Sequence, residues 1–90
     1  MSDRIALAAA REEWRRDAEF RRIAEAYLLA FRDGPGAQVL EHLALLFGGN
    51  TWSADACEHA YNAGRRSVLL HIETLRQVAA NPPNAEERGP

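Results

Sequence analysis

Apolar residues recur with helical spacing along most of the chain. The clearest case is the segment from about residue 54 to residue 80, where they recur every three or four positions and form one stripe on a helix. The members of this stripe are Cys57, Tyr61, Gly64, Val68, Ile72, Leu75 and Ala79. A glycine inside a helix costs about 1 kcal/mol relative to alanine, so Gly64 indicates that another helix packs closely there. The pattern predicts a long C-terminal helix whose stripe is the floor of the core, with Tyr61 and Gly64 as structural residues.

The first third of the chain predicts another long helix, from about residue 3 to residue 32, because it contains neither glycine nor proline. Its apolar stripe changes direction between the two halves, and one straight helix cannot bury both against one core. One interpretation is that the helix bends or breaks near residues 16–19. The other is that residues 1–18 form an extension that docks on a partner through Trp14, since large aromatic side chains commonly anchor interfaces.

A shorter helix is predicted from about residue 35 to residue 47. The preceding residues, Asp-Gly-Pro-Gly at 33–36, form a turn in which Gly36 has a structural role and proline occupies the first helical turn. Phe47 belongs to the apolar side of this helix and is expected to be structural. Leu45 stands on the polar side and is a candidate partner-binding residue. Two glycines at 48 and 49 then predict a left-handed residue at the C-terminal end of the helix.

The connection to the long C-terminal helix contains two residues of interest. Ser53 is the expected N-cap. Trp52 either folds over a helix end and closes the core, or contacts a partner. Within the helix that follows, Cys57 is expected to be a small buried apolar residue, since one cysteine cannot form an internal disulfide.

Composition indicates one globular domain in residues 1–80 followed by a flexible tail in residues 81–90. The chain has 90 residues, of which 47% are hydrophobic and 27% charged. Its apolar runs are too short to span a bilayer, and charged residues interrupt the only apolar stretch near the N-terminus, so we expect neither a membrane segment nor a signal peptide. A net charge of −2 argues against nucleic-acid binding through bulk electrostatics, although all 11 basic residues are arginine.

The segment from about residue 27 to residue 75 resembles a family of small tailed-phage proteins, typified by a Bordetella phage, whose genes lie among the head, scaffold and portal genes. The residues that carry the resemblance are Phe31, Gly36, Val39, Leu40, Leu43, Phe47 and the run Tyr-Asn-Ala-Gly-Arg-Arg-Ser-Val-Leu-Leu at 61–70. The family usually has an acidic residue where this chain has Ala63. The resemblance implies a role in virion assembly, located in the virion or the host cytoplasm, and it implies no enzymatic activity.

Arg65 and Arg66 are the main candidates for a partner contact. The arginines of the first predicted helix stand four residues from acidic residues and are expected to pair with them, but Arg65 and Arg66 have no such neighbour. Their partner must come from elsewhere. It is either Asp33 or Glu41 of the same chain, in a pair that holds the helices in register, or a carboxylate or phosphate of a binding partner.

Other chemistry has little support. The spacings of Cys57 and of the three histidines, His42, His59 and His71, match no zinc motif. Cys57 and His59 point to different sides of a helix, which argues against a nucleophile–base pair. Phosphate-binding glycine motifs are absent from the sequence. We therefore expect neither enzymatic activity nor a cofactor or metal.

The sequence predicts an all-α fold, a small three-helix bundle whose first helix is long and bent. The expected function is that of a small phage structural or assembly protein that acts through protein–protein contacts in head or portal morphogenesis, with other phage proteins or further copies of itself as partners. The alternatives are a DNA-binding or packaging accessory protein, in which Arg65 and Arg66 contact phosphates, and a regulator that binds a host protein.

Overall fold

The computed structural model of the chain describes residues 3–83, which contain α-helices and no strand. The helices are α1 (Asp3–Arg16), α2 (Ala18–Ala30), α3 (Gly34–Phe47) and α4 (Ala56–Ala80). The prediction of an all-α fold is confirmed, whereas this part of the chain forms four helices rather than three. The difference lies in the first predicted helix, which is divided into α1 and α2.

The break between α1 and α2 falls at Asp17, in the segment where the sequence predicted a bend or a break. Asp17 has an extended backbone with φ −131° and ψ 110°. Its side chain accepts hydrogen bonds from the backbone N–H groups of Glu19, at 2.9 Å, and Phe20, at 3.4 Å. These groups have no partner within the helix, so Asp17 stabilises the start of α2 at the point where the apolar stripe changes direction.

The charged residues around this break pair differently from the prediction. Between described residues of this segment, the ion pairs include Arg15–Glu12, Arg16–Glu13 and Arg22–Glu19, each joining residues three positions apart. Arg21 was expected to pair with an acidic residue, but its Nη1 donates to the carbonyl oxygen of Trp14 at 2.6 Å. This hydrogen bond connects the end of α1 to the first turns of α2 and helps to fix the angle between them.

The core is enclosed by α1, α2 and the C-terminal half of α4. Its buried hydrophobic residues are Ala10, Ala24, Leu69, Ile72, Leu75 and Val78. Trp14 is half-buried and packs against the cluster that contains Ala10 and Leu75. A free docking surface centred on Trp14 is therefore contradicted, because α1 turns back onto α4 within the monomer.

Two glycines are required in the first turn of α3. Gly34 has φ 62°, the only positive φ among the described residues. A Cβ added to Gly36 would clash with the backbone carbonyl group of Ala30, so this position has no room for a side chain. At the other end of α3, Gly48 has φ −90°, and the left-handed residue predicted there is wrong.

The chain that follows α4 stays in contact with α1 as far as the structure describes it. Arg11 donates from Nη1 to the carbonyl oxygen of Asn81 at 3.2 Å, and Pro83 is buried. The flexible tail predicted for residues 81–90 therefore does not begin at residue 81. Residues 84–90 lie outside the described residues, and so does that part of the prediction.

Candidate functional site

The apolar stripe of α4 is covered along only half of its length. In the C-terminal half, Ile72 and Leu75 are 8% and 3% exposed, and Leu75 packs in one cluster with Ala10 of α1 and Ala24 of α2. In the N-terminal half, Val68 and Tyr61 are 52% and 65% exposed. A Cβ added to Gly64 would meet nothing within 4 Å. The helix continues through Gly64 without interruption, but the predictions that this glycine contacts a neighbouring helix and that Tyr61 lies in the core are wrong.

Helix α3 covers the N-terminal half of α4 incompletely. It packs mainly on α4, and none of its own residues is buried. Its half-buried apolar side chains are Leu40, Leu43 and Phe47. On the rest of its surface, Val39 and Leu46 are about half exposed, and Leu45 is 80% exposed. A helix this apolar is normally buried against other elements on more than one side.

The loop between α3 and α4 adds another exposed aromatic residue. Trp52 is 69% exposed, so the prediction that it closes the core is wrong. Its backbone N–H donates to Oδ1 of Asn50 at 3.0 Å, a turn that directs the chain from α3 to α4. The N-cap of α4 is Asp55, which accepts from the backbone N–H of Glu58 at 3.0 Å, rather than the predicted Ser53.

We call α3, the loop at residues 48–55 and the N-terminal half of α4 at residues 56–70 the arm. The arm contains most of the exposed large hydrophobic residues of the described chain. Those in the arm are Val39, Leu45, Leu46, Trp52, Tyr61 and Val68. Cys57 is also exposed there, contrary to the expectation that it is buried. Isolated exposed apolar residues are normal, but a concentration in one region marks an interaction surface.

Arg65 lies at the junction of the two helices of the arm. Its Nη2 donates to the carbonyl oxygen of Leu46 at 3.1 Å, near the C-terminal end of α3, where unpaired carbonyl groups favour a cation. Its guanidinium carbon lies 5.0 Å from the ring centroid of Phe47 and 5.4 Å from that of Tyr61. These distances are typical of cation–π contacts. Arg65 therefore holds α3 on α4, but it does so through a carbonyl group and two aromatic rings.

The predicted ion pair with Asp33 or Glu41 is therefore wrong for both arginines. Asp33 lies beside Arg32 instead, with 3.7 Å between Oδ2 and Nε. Arg66 forms no ion pair or hydrogen bond in the part of the chain that the structure describes. Of the two candidate contact residues, Arg66 is the one whose guanidinium has no partner within residues 3–83.

A groove opens on each side of α4 within the arm. The apolar groove, of about 340 Å³, is lined by Phe47, Ala60, Tyr61, Gly64, Arg65 and Val68. The second groove, of about 560 Å³, contains more polar groups, and its lining includes Asn50, Thr51, Ala63, Arg66 and Ser67. The apolar groove lies on the same stripe that α1 and α2 cover further along the helix.

Glu58 is a further candidate residue, which the sequence patterns above did not indicate. It lies one turn into α4, and its carboxylate has no cation partner within residues 3–83. It stands seven positions before Arg65, which places both residues on the same side of the helix, two turns apart. The signal that would have found it is the charge pattern beside the stripe, rather than the stripe itself.

The described residues contain no group of three or more His, Cys, Asp or Glu side chains that could hold a metal ion. The histidine on the C-terminal half of α4, His71, packs edge-on against Tyr27 with 6.1 Å between ring centroids. None of the described helices is long and apolar enough to cross a lipid bilayer. The candidate site is therefore the apolar surface of the arm together with its charged residues.

Comparisons with known proteins identify the family. No curated protein and no solved structure matches the chain. A model of the Bbp19-like phage protein family matches residues 20–85, well over half of the chain, including all of α3 and α4. This match agrees with the resemblance found at residues 27–75. The chain belongs to the Bbp19-like phage protein family.

Proposed function

We propose that this phage protein is a non-enzymatic structural or assembly protein that acts in head or portal morphogenesis through contacts made by the arm. The observation that carries the proposal is that α3, an apolar helix, has no buried residue. Family membership supports the phage context. The arm supports the mode of action, because an exposed apolar surface of this extent is typical of a protein-binding site.

The charge distribution of α3 also favours a protein partner. Glu41 is its only acidic residue, and it contains neither lysine nor arginine. Stable protein–protein interfaces are depleted of charged residues at their centre and enriched in large apolar side chains. Covering a large apolar side chain fully contributes about 1.5–3 kcal/mol, so burial of Leu45 and its neighbours would supply a useful part of a binding free energy.

A matched pair of leucine substitutions tests the proposal. Leu45, in the arm, is 80% exposed, and Leu29, in α2, is 60% exposed. In a phage that carries the variant gene, Leu45→Glu should strongly reduce particle yield and co-purification with the head and portal proteins. The Leu29→Glu phage should assemble as the wild type does.

Circular dichroism of both purified variants checks that each remains folded. Wild-type particle yield and unchanged co-purification for Leu45→Glu would contradict the proposal. Mass spectrometry of purified virions then shows whether the protein remains in the mature particle.

A second candidate function, a DNA-packaging accessory protein, has one observation in its favour. The guanidinium of Arg66 has no partner within residues 3–83 and lines an open groove with Asn50 and Thr51. A phosphate contact there should weaken steeply as salt is raised. Titration of duplex DNA at two salt concentrations with the wild type and Arg66→Ala tests this function, and equal binding by the two proteins would reject it.

A further inference from the structure

The uncovered part of the α4 stripe has the spacing of a coiled-coil contact. Cys57, Tyr61, Gly64 and Val68 are separated by steps of four, three and four, and all four are exposed. This is the seven-residue repeat with which two helices bury a shared seam. The same stripe continues into Ile72 and Leu75, which are buried, and Leu75 packs in one cluster with Ala10 of α1 and Ala24 of α2. The exposed stretch is therefore the continuation of an existing helix–helix interface.

We propose that a second copy of this chain covers the exposed stretch, with the two α4 helices packed antiparallel about a two-fold axis. The inference deepens the proposed function, since it takes the arm as an interaction surface and names one of its partners. In a two-fold contact every pair of contacting positions occurs twice, once with each copy supplying the first residue. The centre of the contact lies between residues 61 and 64.

The sizes of the side chains match in this arrangement. Antiparallel packing places Tyr61 of one copy opposite Gly64 of the other, and Cys57 opposite Val68. The ring of Tyr61, which is 65% exposed, thus packs against Gly64 of the other copy, where an added Cβ would meet nothing within 4 Å in the monomer. The groove of about 340 Å³ beside Gly64 has room for that ring. Alternation of large and small residues across a seam is how packed helices interlock.

Charge complementarity identifies a second copy as the partner. Glu58 and Arg65 occupy equivalent positions beside the seam, one repeat apart. Within residues 3–83 Glu58 has no cation partner and Arg65 has no carboxylate partner. Residues beside the seam set the orientation of paired helices. In the antiparallel pair, Glu58 of each copy faces Arg65 of the other, which gives two equivalent ion pairs from one surface.

A parallel pair would not use these charges. In that orientation Arg65 would lie beside Ala60 on the other flank of the seam and Glu58 beside Ser53, which precedes the helix, and neither of these residues carries a charge. The charge pattern therefore favours the antiparallel orientation. It also explains why neither residue finds an ionic partner within the described monomer.

Sedimentation equilibrium of the isolated chain over a concentration series tests the proposal. The wild type should associate to a dimer. Glu58→Arg places like charges at both ion-pair positions and should raise the dissociation constant about tenfold or more. The double variant with Glu58→Arg and Arg65→Glu restores opposite charges and should bind more tightly than Glu58→Arg alone, even though Arg65→Glu removes the contacts with Leu46 and Phe47 that hold α3 on α4. Glu73→Arg is the matched control, since it makes the same charge change on the outer side of α4 and should leave the dimer unchanged.

A second pair of variants tests the seam without changing charge. Gly64→Gln fills the position opposite Tyr61 and should weaken the dimer, whereas Ala63→Gln, on the neighbouring face, should not. Circular dichroism at a concentration where the chains are monomeric checks that each variant is folded. A wild type that remains monomeric throughout, or a dimer that Glu58→Arg and Gly64→Gln leave intact, would overturn the proposal. These measurements use only the isolated chain, so absence of a dimer would not contradict contacts with other phage proteins, which the particle assay tests. Conversely, failure of the particle assay would not contradict the dimer.

Discussion

The two halves of α4 have the same sequence pattern but different surroundings. In the C-terminal half, the apolar stripe is buried, and its residues Ile72 and Leu75 are 8% and 3% exposed. In the N-terminal half, the stripe continues with the same spacing, but Tyr61 is 65% exposed. The period of a sequence therefore identifies which face of a helix is apolar, but it does not identify what covers that face.

This difference should appear as a gradient of local stability. Each fully buried large apolar side chain contributes about 1.5–3 kcal/mol, and the arm has one, Leu69, at its C-terminal limit. The arm is held mainly by half-buried side chains and by the contacts of Arg65 with Leu46, Phe47 and Tyr61. Regions with few buried apolar contacts open more easily than the core. An interaction surface of this kind gains order when a partner covers it.

The largest expected effect comes from removing side chains in the two halves of the stripe. Leu75→Ala should lower the free energy of unfolding by about 2–5 kcal/mol, because it creates a cavity in the core. Val68→Ala should lower it by less than about 1 kcal/mol, because Val68 is 52% exposed. Urea unfolding, measured at a concentration where the chains are monomeric, gives both values. Similar losses for the two variants would contradict the contrast between the halves.

A smaller effect is expected from the helix caps on either side of α2. Asp17→Ala should lower the free energy of unfolding by about 0.5–2 kcal/mol, since it removes the acceptor for two backbone N–H groups. Asp33 occupies the N-cap of α3, but its side chain makes no capping hydrogen bond. Asp33→Ala, the matched control, should therefore change stability by less than about 0.5 kcal/mol. Thermal unfolding of both variants measures the difference, and equal losses would show that Asp17 does not act as a cap.

The sequence was sufficient for the fold class but not for the coverage of each helix. Periodicity predicted α3 and α4 almost to the residue at their C-terminal ends, and of the two interpretations of the change in stripe direction, a bend or break near residues 16–19 agrees with the break at Asp17. Both predictions depend on local patterns of the chain. The exposure of Trp52 and Tyr61 depends on which part of the molecule α1 and α2 cover, and local sequence patterns do not predict that tertiary packing.

The candidate site was predicted in part for the same reason. The absence of a local acid beside Arg65 and Arg66 was visible in the sequence, and it correctly separated them from the paired arginines of α1 and α2. Their surroundings were not predictable. A carbonyl group at a helix end and two aromatic rings satisfy Arg65, because α3 ends beside α4 at that level.

The smallest expected effect, and the one that most sharpens the comparison, is at Gly64. Replacing a glycine at a close helix contact with alanine lowers the stability of the fold, because the added methyl group clashes. Replacing a helix glycine that faces solvent with alanine raises the stability, because alanine is the better helix former. Nothing lies within 4 Å of a Cβ added to Gly64, so Gly64→Ala should raise the free energy of unfolding of the monomer by about 0.5–1 kcal/mol. The reverse change at the neighbouring exposed position, Ala63→Gly, should lower it by a similar amount. Denaturant unfolding at low protein concentration measures both, and a loss of stability in Gly64→Ala would place this glycine against another helix within the monomer.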